Sequence, residues 1–398
     1  MISLLLTVIF LAFISLGLPD SLLGSAWPTL QIIYNVDSSF VGFVSMTISL
    51  MTIISSLLSP KLIKKIKTQY IVIFSIVLTI IGLIGFSFSS QFFILFIFAI
   101  PYGLGAGAID ASLNNYVANN YSSRVMNFLH CFYGLGAIIS PNIMGLALKY
   151  AHWNEGFRWT SYIQIGILLI CVLSIPLWNK VNKINNEKSD SKEDVKEVNE
   201  ETSLTKTLKR RGVILTLIAF FAYCGGEAIC FLWTSSYFKG LYPSLSEDKI
   251  ASFGSLIFFG LMLGRLIAGF ISNKINDKNL IRIGIFIELI GIIFISIPLD
   301  SYVLALVGFI LTGVGMGPIY PSIQHMAPIN FTKEYSSSVI ALQMSSAYIG
   351  STFMPLLFGI IQENVGIYIM PIFLLIFLII NIVFLELTYI FIKKKNNN

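Results

Sequence analysis

The chain has 398 residues, of which 56% are hydrophobic and only 12% are charged, and its formal net charge is +6. A soluble domain carries about twice that share of charge, so this composition excludes an ordinary soluble fold and indicates a membrane protein. No nucleotide-binding loop, nucleophile–base set or metal-ligand spacing is found in the sequence. It therefore favours neither an enzyme nor a protein with a cofactor.

Long apolar stretches follow one another along the whole chain. A bilayer span needs about 20 mostly apolar residues. By that measure the sequence predicts an all-α membrane protein with twelve transmembrane helices, over 3–27, 40–60, 69–88, 92–117, 126–149, 159–179, 212–238, 250–273, 280–298, 302–324, 336–361 and 367–391.

Basic residues set the orientation, because loops rich in Lys and Arg stay in the cytoplasm. Most of the 26 Lys and Arg residues fall in loops on one side if both termini are cytoplasmic. The net positive charge therefore reflects topology and gives no support for nucleic-acid binding. The preference for Ile, Lys and Asn is typical of an AT-rich bacterial genome. We therefore expect the protein to lie in the lipid of a bacterial cytoplasmic membrane. We also expect a multi-pass monomer.

Residues 180–211 interrupt the apolar pattern with interleaved charges and no aromatic residue. Such a segment cannot bury enough apolar area to fold alone. It predicts a cytoplasmic linker between six-helix bundles at 1–179 and 212–398, although a regulatory docking site is an alternative. Similar apolar-to-basic exits at 59–65 and 264–274 indicate an internal repeat. Two such bundles around a midplane site are typical of secondary transporters.

The first acid within a span is Asp20, and burying such a group in charged form is costly. Pro19 beside it, together with Gly17 and Gly24, predicts a bent helix whose freed carbonyls help to bind a cation or a hydroxyl. The alternative is an acid that reaches toward the outer surface.

A second acid, Asp110, follows a glycine-rich run in the fourth span. Asn114 shares its helix face, and Asn127 and His130 share a face of the next span. We expect Asp110 and His130 to lie at similar depth, where a carboxyl and an imidazole can exchange a proton near neutral pH. The alternative is a static hydrogen bond between helices.

Glu227 is near the midpoint of the seventh span. It belongs to a polar and aromatic stripe at helical spacing, with Trp233 on an adjoining face: Tyr223, Glu227, Cys230, Thr234 and Tyr237. Hydrogen-bonding groups beside flat aromatic rings suit a sugar or a polyol, whereas the alternative is a polar seam between helices. Gln343 of the eleventh span is a candidate cavity amide.

Arg265 and Glu288 have matching depths on consecutive spans. An unpaired arginine within a membrane is very costly, so we expect a structural ion pair between these two residues.

Five segments in this order resemble the major facilitator superfamily, and more narrowly its fucose permease branch of sugar transporters. They are Gly17–Pro28, Gly103–Asn114, Asn127–Ile139, Tyr223–Tyr237 and Gly313–Ser322. The resemblance implies the major facilitator fold, and it implies roles in proton coupling and sugar binding for acids at Asp20 and Asp110. There are departures, since the loop after the second span lacks the usual glycine and aspartate. Asn273 also replaces a common aspartate, and His130 and Tyr133 stand where the fucose permease carries amides.

The sequence thus predicts alternating-access, proton-coupled symport of a small neutral sugar or polyol, with sodium coupling or proton-coupled efflux of hydrophobic or cationic compounds as alternatives. The predicted coupling-ion residues are Asp20, Asp110 and His130. The predicted substrate-binding residues are Asn114, Asn127, Tyr133, Tyr223, Glu227, Trp233, Tyr237 and Gln343.

Overall fold

The computed structural model of the protein describes residues 2–121, 123–181, 204–272, 274–297, 301–331 and 333–396. Within these residues, twelve segments are helical, long and apolar enough to cross a membrane, which confirms the predicted number. In chain order, and numbered as the first to the twelfth span below, they are Ser3–Tyr34, Phe40–Ser59, Thr68–Ser87, Ile94–Val117, Phe128–Tyr150, Trp153–Leu173, Val213–Leu241, Glu247–Ile271, Asp277–Ser296, Val303–His325, Ser338–Val365 and Ile367–Ile392.

The helices themselves extend beyond several spans or divide them. Their bounds are Ile2–Asp20, Leu22–Tyr34, Phe40–Lys65, Thr68–Ser87, Ile94–Asn120, Ser123–Tyr150, Trp153–Leu173, Leu204–Leu208, Val213–Leu241, Glu247–Phe253, Leu256–Ile271, Asp277–Ser296, Val303–Met316, Ile319–His325, Ala327–Phe331, Lys333–Val365 and Met370–Asn396, with a 3₁₀ helix at Ile367–Ile369.

Two spans differ appreciably from their predicted limits. The first span continues to Tyr34 rather than ending at residue 27, because Pro28 is accommodated inside its second helix. That helix ends at Tyr34, and Asn35 caps it in a left-handed conformation. The sixth begins at Trp153 rather than at residue 159. There Glu155 and Arg158 form an ion pair one turn apart at 2.5 Å, so a polar first turn is accommodated in the helix.

The first span is interrupted where the sequence predicts a bend. Its first helix ends at Asp20, one residue after Pro19, and its second begins at Leu22. A proline inside a helix removes one backbone hydrogen bond and clashes with the preceding turn, so a break at this point has a local cause. The break puts Asp20 at the end of a helix near the middle of a span.

The chain divides into two compact units. One consists of the described parts of Met1–Val36, Phe43–Val198 and Ser246–Ser255, and the other of those of Asp37–Gly42, Asn199–Leu245 and Leu256–Asn398. Two short segments, 37–42 and 246–255, thus group differently from the predicted division. Residues 182–203 of the predicted linker lie outside the described residues, so the predicted domain boundaries stay predictions.

Apolar side chains are found both inside the units and on their surface. Phe13, Phe157, Phe220 and Phe309 are completely buried. Other large apolar side chains point outward, among them Phe74, Phe93, Leu173 and Phe270. An outer surface of this composition matches a lipid environment.

Candidate functional site

Asp20 is the best-oriented acid of the first unit. Tyr102 donates a hydrogen bond to its Oδ1 at 2.8 Å, and Tyr133 donates one to its Oδ2 at 2.6 Å. Asp20 is exposed, whereas Tyr102 is 3% exposed. The two phenols therefore fix the orientation of a carboxyl that remains open to a proton or a ligand.

Glycines bring the first and fifth spans together around this carboxyl. A Cβ on Gly17 would overlap the backbone oxygen of Tyr133, and one on Gly136 would overlap that of Ile14. Ser21, at the break in the first span, donates to the backbone oxygen of Ala137 at 2.7 Å. Small residues allow two helix backbones to approach closely within a membrane. The position of the Tyr133 hydroxyl next to Asp20 follows from this close crossing.

The glycine-rich run of the fourth span packs by the same means against the second and third spans. A Cβ on Gly103 or Gly107 would overlap a backbone oxygen of the second span, and one on Gly105 would lie 2.5 Å from the backbone oxygen of Ser75. Hydroxyls reinforce this seam, since Thr52 donates to the backbone oxygen of Gly103 at 3.2 Å. The run therefore fixes the fourth span just before it reaches Asp110.

Asp110 is half-buried and forms a local pair with Asn114, whose Nδ2 donates to its Oδ1 at 2.8 Å. The two residues share one helix face, as predicted. Oδ1 of Asn114 is buried, and no hydrogen bond reaches it from the described residues. Asp110 also interacts electrostatically with Asp20. The first unit thus contains two neighbouring acids, a free amide acceptor and two tyrosine hydroxyls.

Among the residues that the structure describes, no hydrogen bond or ion pair joins Asp110 to His130. Asp110 interacts with Asn114 and Asp20, while the His130 ring lies edge-to-face with Phe13 at a centroid distance of 5.9 Å. The reason is that the fifth span packs along the first span much more extensively than along the fourth. The side chain of Asn127 lies outside the described residues.

In the second unit, Glu227 lies at the centre of the seventh span and has two polar partners. The Tyr223 hydroxyl is 2.9 Å from its Oε1 and 3.0 Å from the backbone oxygen of Met316. Nη2 of Arg265 lies 3.7 Å from the same Oε1. Side-chain exposures of 14% for Glu227 and 21% for Arg265 leave part of this ion pair open to a small molecule.

This ion pair replaces the predicted pair between Arg265 and Glu288. Matching depth on consecutive spans favours that pair, but depth does not determine which way a side chain faces. The ninth span presents Gly284 and Gly291 to the tenth, where a Cβ on Gly284 would lie 2.5 Å from the backbone oxygen of Gly315 and one on Gly291 would lie 2.4 Å from the backbone nitrogen of Thr312. Glu288 lies on the same face as these glycines and lines a cavity together with residues of the seventh and twelfth spans.

Three other predicted substrate residues are buried and bonded to the protein. Trp233 is completely buried, and its Nε1 donates to the backbone oxygen of Pro355 at 3.0 Å. Tyr237 donates to the backbone oxygen of Ile295 at 2.7 Å, and Gln343 donates to Thr216 at 3.1 Å. In this conformation these three residues join helices and are not available for direct contact with a substrate.

Tyr102 is the functional candidate that the sequence analysis missed. It precedes Asp110 by eight residues, so the two lie on the same side of the fourth span, about 80° apart. That spacing is the signal that would have identified it. The proximity of Asp20 to Asp110 could not be read in this way, because it depends on how two separate helices pack.

A family model described as "Major Facilitator Superfamily" matches residues 9–244 and 240–397. The chain belongs to the major facilitator superfamily. It is 24% identical over 387 residues to "Bypass of stop codon protein 6" of Saccharomyces cerevisiae, a match that covers 90% of this chain and 77% of the yeast protein. It is 22% identical over 340 residues to the "Glucose/mannose transporter GlcP" of Bacillus subtilis, covering 80% of this chain and 76% of GlcP.

A solved structure extends the likeness to the fold. The crystal structure of the nucleoside transporter NupG matches with a TM-score of 0.74 at 12% identity, covering 98% of this chain and 99% of NupG. At that identity the match concerns the fold alone. The protein is therefore a multi-pass membrane transporter of the major facilitator fold for a small-molecule substrate, with sugar transporters among its relatives.

Proposed function

We propose that this transporter carries out proton-coupled symport of a small neutral sugar or polyol by alternating access. The observation that carries the proposal is the Asp20–Asp110 pair. Asp20 is an exposed carboxyl near the middle of a span, it is oriented by two tyrosine hydroxyls, and it interacts electrostatically with a second acid. We further propose that the protein resides in a bacterial cytoplasmic membrane with both termini in the cytoplasm.

The pair suits proton coupling because two nearby carboxylates repel each other where water is scarce. Protonation of one of them relieves that repulsion, and Asn114 and the two tyrosines stabilise the one that stays charged. The charge on the pair then depends on which side of the membrane supplies or takes up the proton. We assign the coupling role to Asp110 first and to Asp20 second.

The groups beside the acids suit a substrate rich in hydroxyls. Tyr133 and Asn114 in the first unit, and Tyr223 and Glu227 in the second, offer donors and acceptors. Glu227 is compensated by Arg265, so this group presents no net charge to attract a cationic compound. The similarity to GlcP, a glucose/mannose transporter, supports a sugar as the substrate class.

The test is transport by the purified protein in proteoliposomes. A panel of radiolabelled hexoses and polyols would first be screened by counterflow, which needs no ion gradient. A substrate found in this way would then be offered with an inward proton gradient, with an inward sodium gradient, or with neither. We expect accumulation with the proton gradient alone. Accumulation only with sodium would replace the proposed ion, and extrusion of hydrophobic cations without sugar counterflow would contradict the substrate class.

A further inference from the structure

Glu288 of the ninth span is a buried acid that the proposed function does not use. It is only 5% exposed. Among the described residues, no hydrogen bond and no ion pair reaches its carboxyl group, although every other acid discussed above has one. It lines a small cavity, of a size that holds a single water molecule, together with Ala222, Tyr223, Gly226, Phe377, Leu378 and Asn381.

Asn381 of the twelfth span contributes the other polar surface of this cavity. The residue is 2% exposed, and its Nδ2 donates to the backbone oxygen of Ala219 at 2.8 Å. Its Oδ1 is buried without a hydrogen bond from any described residue. The cavity therefore holds a carboxyl group and an acceptor that lacks a donor. A protonated carboxyl, directly or through one water molecule, supplies that donor.

The surrounding charges also favour a neutral Glu288. The titratable groups nearest to it on packed helices are Glu227, Tyr223 and Cys230, all of the seventh span, and Glu227 interacts with it electrostatically. Arg265 lies against Glu227. With a negative neighbour, a cation already paired elsewhere and a buried position within the membrane, an ionised Glu288 would be costly.

The backbone around Glu288 leaves it little freedom to find another partner. A Cβ added to Gly315 of the tenth span would overlap the backbone nitrogen of Glu288 itself. Gly284 and Gly291, one turn before it and one turn after it, make equally close approaches to the tenth span. This seam fixes the backbone at Glu288 against the tenth span, while its side chain lines the cavity.

We propose that Glu288 is a proton-binding site of the second unit, and that in this conformation it holds a proton in the cavity shared with Asn381. The site is separate from the Asp20–Asp110 pair. It does not rest on the proposed function, because it concerns the charge of one buried group whatever substrate or ion the protein carries. When Glu288 is protonated, the charges of Glu227 and Arg265 beside it balance each other.

Infrared difference spectroscopy tests the proposal on the purified full-length protein at neutral pH, with neither substrate nor gradient. The wild-type spectrum minus that of Glu288→Gln should contain the carbonyl-stretch band of a protonated carboxyl. The matched control is Glu386→Gln. Glu386 is bonded to Arg282 at 2.7 and 2.9 Å and is therefore ionised, so its replacement should remove a carboxylate band instead.

A second variant, Asn381→Ala, tests the proposal without relying on Glu288→Gln to fold. Asn381→Ala removes the facing acceptor, so the same band should remain but shift to higher frequency. The proposal is overturned if the wild type shows a carboxylate band assigned to Glu288. Loss of ²²Na⁺ binding in Glu288→Gln would also overturn it, because the cavity would then hold sodium. Because no transport is measured, failure here is distinct from failure of the proposed symport.

Discussion

The hydroxyl of Tyr133 donates a hydrogen bond of 2.6 Å to Oδ2 of Asp20, a residue 113 positions earlier in the chain. This contact joins the fifth span to the break in the first span. It depends on the close crossing at Gly17 and Gly136, and it leaves the carboxyl exposed. An acid that is both oriented and exposed within the membrane region distinguishes a transport site from a buried structural pair.

Removal of one hydroxyl should weaken this site without unfolding it. In Tyr133→Phe, Asp20 keeps its hydrogen bond from Tyr102 but loses the one from Tyr133. A hydrogen bond to a charged group is worth about 1.5–3 kcal/mol, so substrate binding that depends on the oriented carboxyl should weaken by about tenfold or more. Counterflow and proton-driven uptake measured at matched expression check this.

The matched control for that substitution is Tyr162→Phe. Tyr162 is 61% exposed on the sixth span, and no hydrogen bond of its hydroxyl is found among the described residues. This variant should behave like the wild type. Equal activity of Tyr133→Phe and Tyr162→Phe would show that the bond to Asp20 has no functional role.

The crossing of the first and fifth spans should tolerate no side chain at Gly17. In Gly17→Ala the new Cβ would overlap the backbone oxygen of Tyr133, whereas nothing lies within 4 Å of a Cβ at Gly166. Overpacking of this kind costs about 1–3 kcal/mol. Thermal unfolding of the purified variants should show a clear loss for Gly17→Ala and none for Gly166→Ala. Equal stability would mean that the crossing is looser than described.

The ion pair of Glu227 and Arg265 should behave as a unit. Either single substitution, Glu227→Gln or Arg265→Gln, leaves one charge without its partner within the membrane, and removal of one partner of a buried pair costs several kcal/mol. The double variant has no charge left to compensate, so it should be more stable than the sum of the single effects predicts. A double-mutant cycle on unfolding temperature measures the coupling. Strict additivity would argue against the pair, and in favour of the predicted Arg265–Glu288 pair.

Trp233 should affect stability rather than substrate affinity. Its ring is completely buried, packs edge-to-face with Phe358 and donates to the backbone oxygen of Pro355. Trp233→Phe should therefore lower the unfolding temperature, while the folded fraction binds substrate with unchanged affinity. Binding titrations corrected for active protein check this. A large loss of affinity with unchanged stability would return Trp233 to the substrate site.

Features that depend on one segment could be predicted from the sequence. The twelve apolar spans and the break after Pro19 are local consequences of composition and of proline geometry, and the structure confirms them. The pairing of Asp110 with Asn114 follows from a spacing of four residues on one helix. Each of these features requires only the helical period and the thickness of a bilayer.

Features that depend on how helices pack could not be predicted. Arg265 and His130 each contact a different helix from the one that matching depth predicts. The direction is set by glycine contacts between helices distant in sequence, such as Gly17 with the fifth span. A single sequence does not show which of its many small residues form such contacts.

The most direct test of the account is the substitution Asp110→Asn in reconstituted protein. The amide mimics the protonated acid and cannot release a proton, so a carrier coupled through Asp110 should still exchange substrate across the membrane but no longer accumulate it. Counterflow and proton-driven uptake of the same radiolabelled substrate would be measured in parallel, with Asp20→Asn alongside. We expect Asp110→Asn to retain counterflow and to lose accumulation. Accumulation against the substrate gradient by that variant would show that Asp110 is not the coupling group and would contradict the central claim.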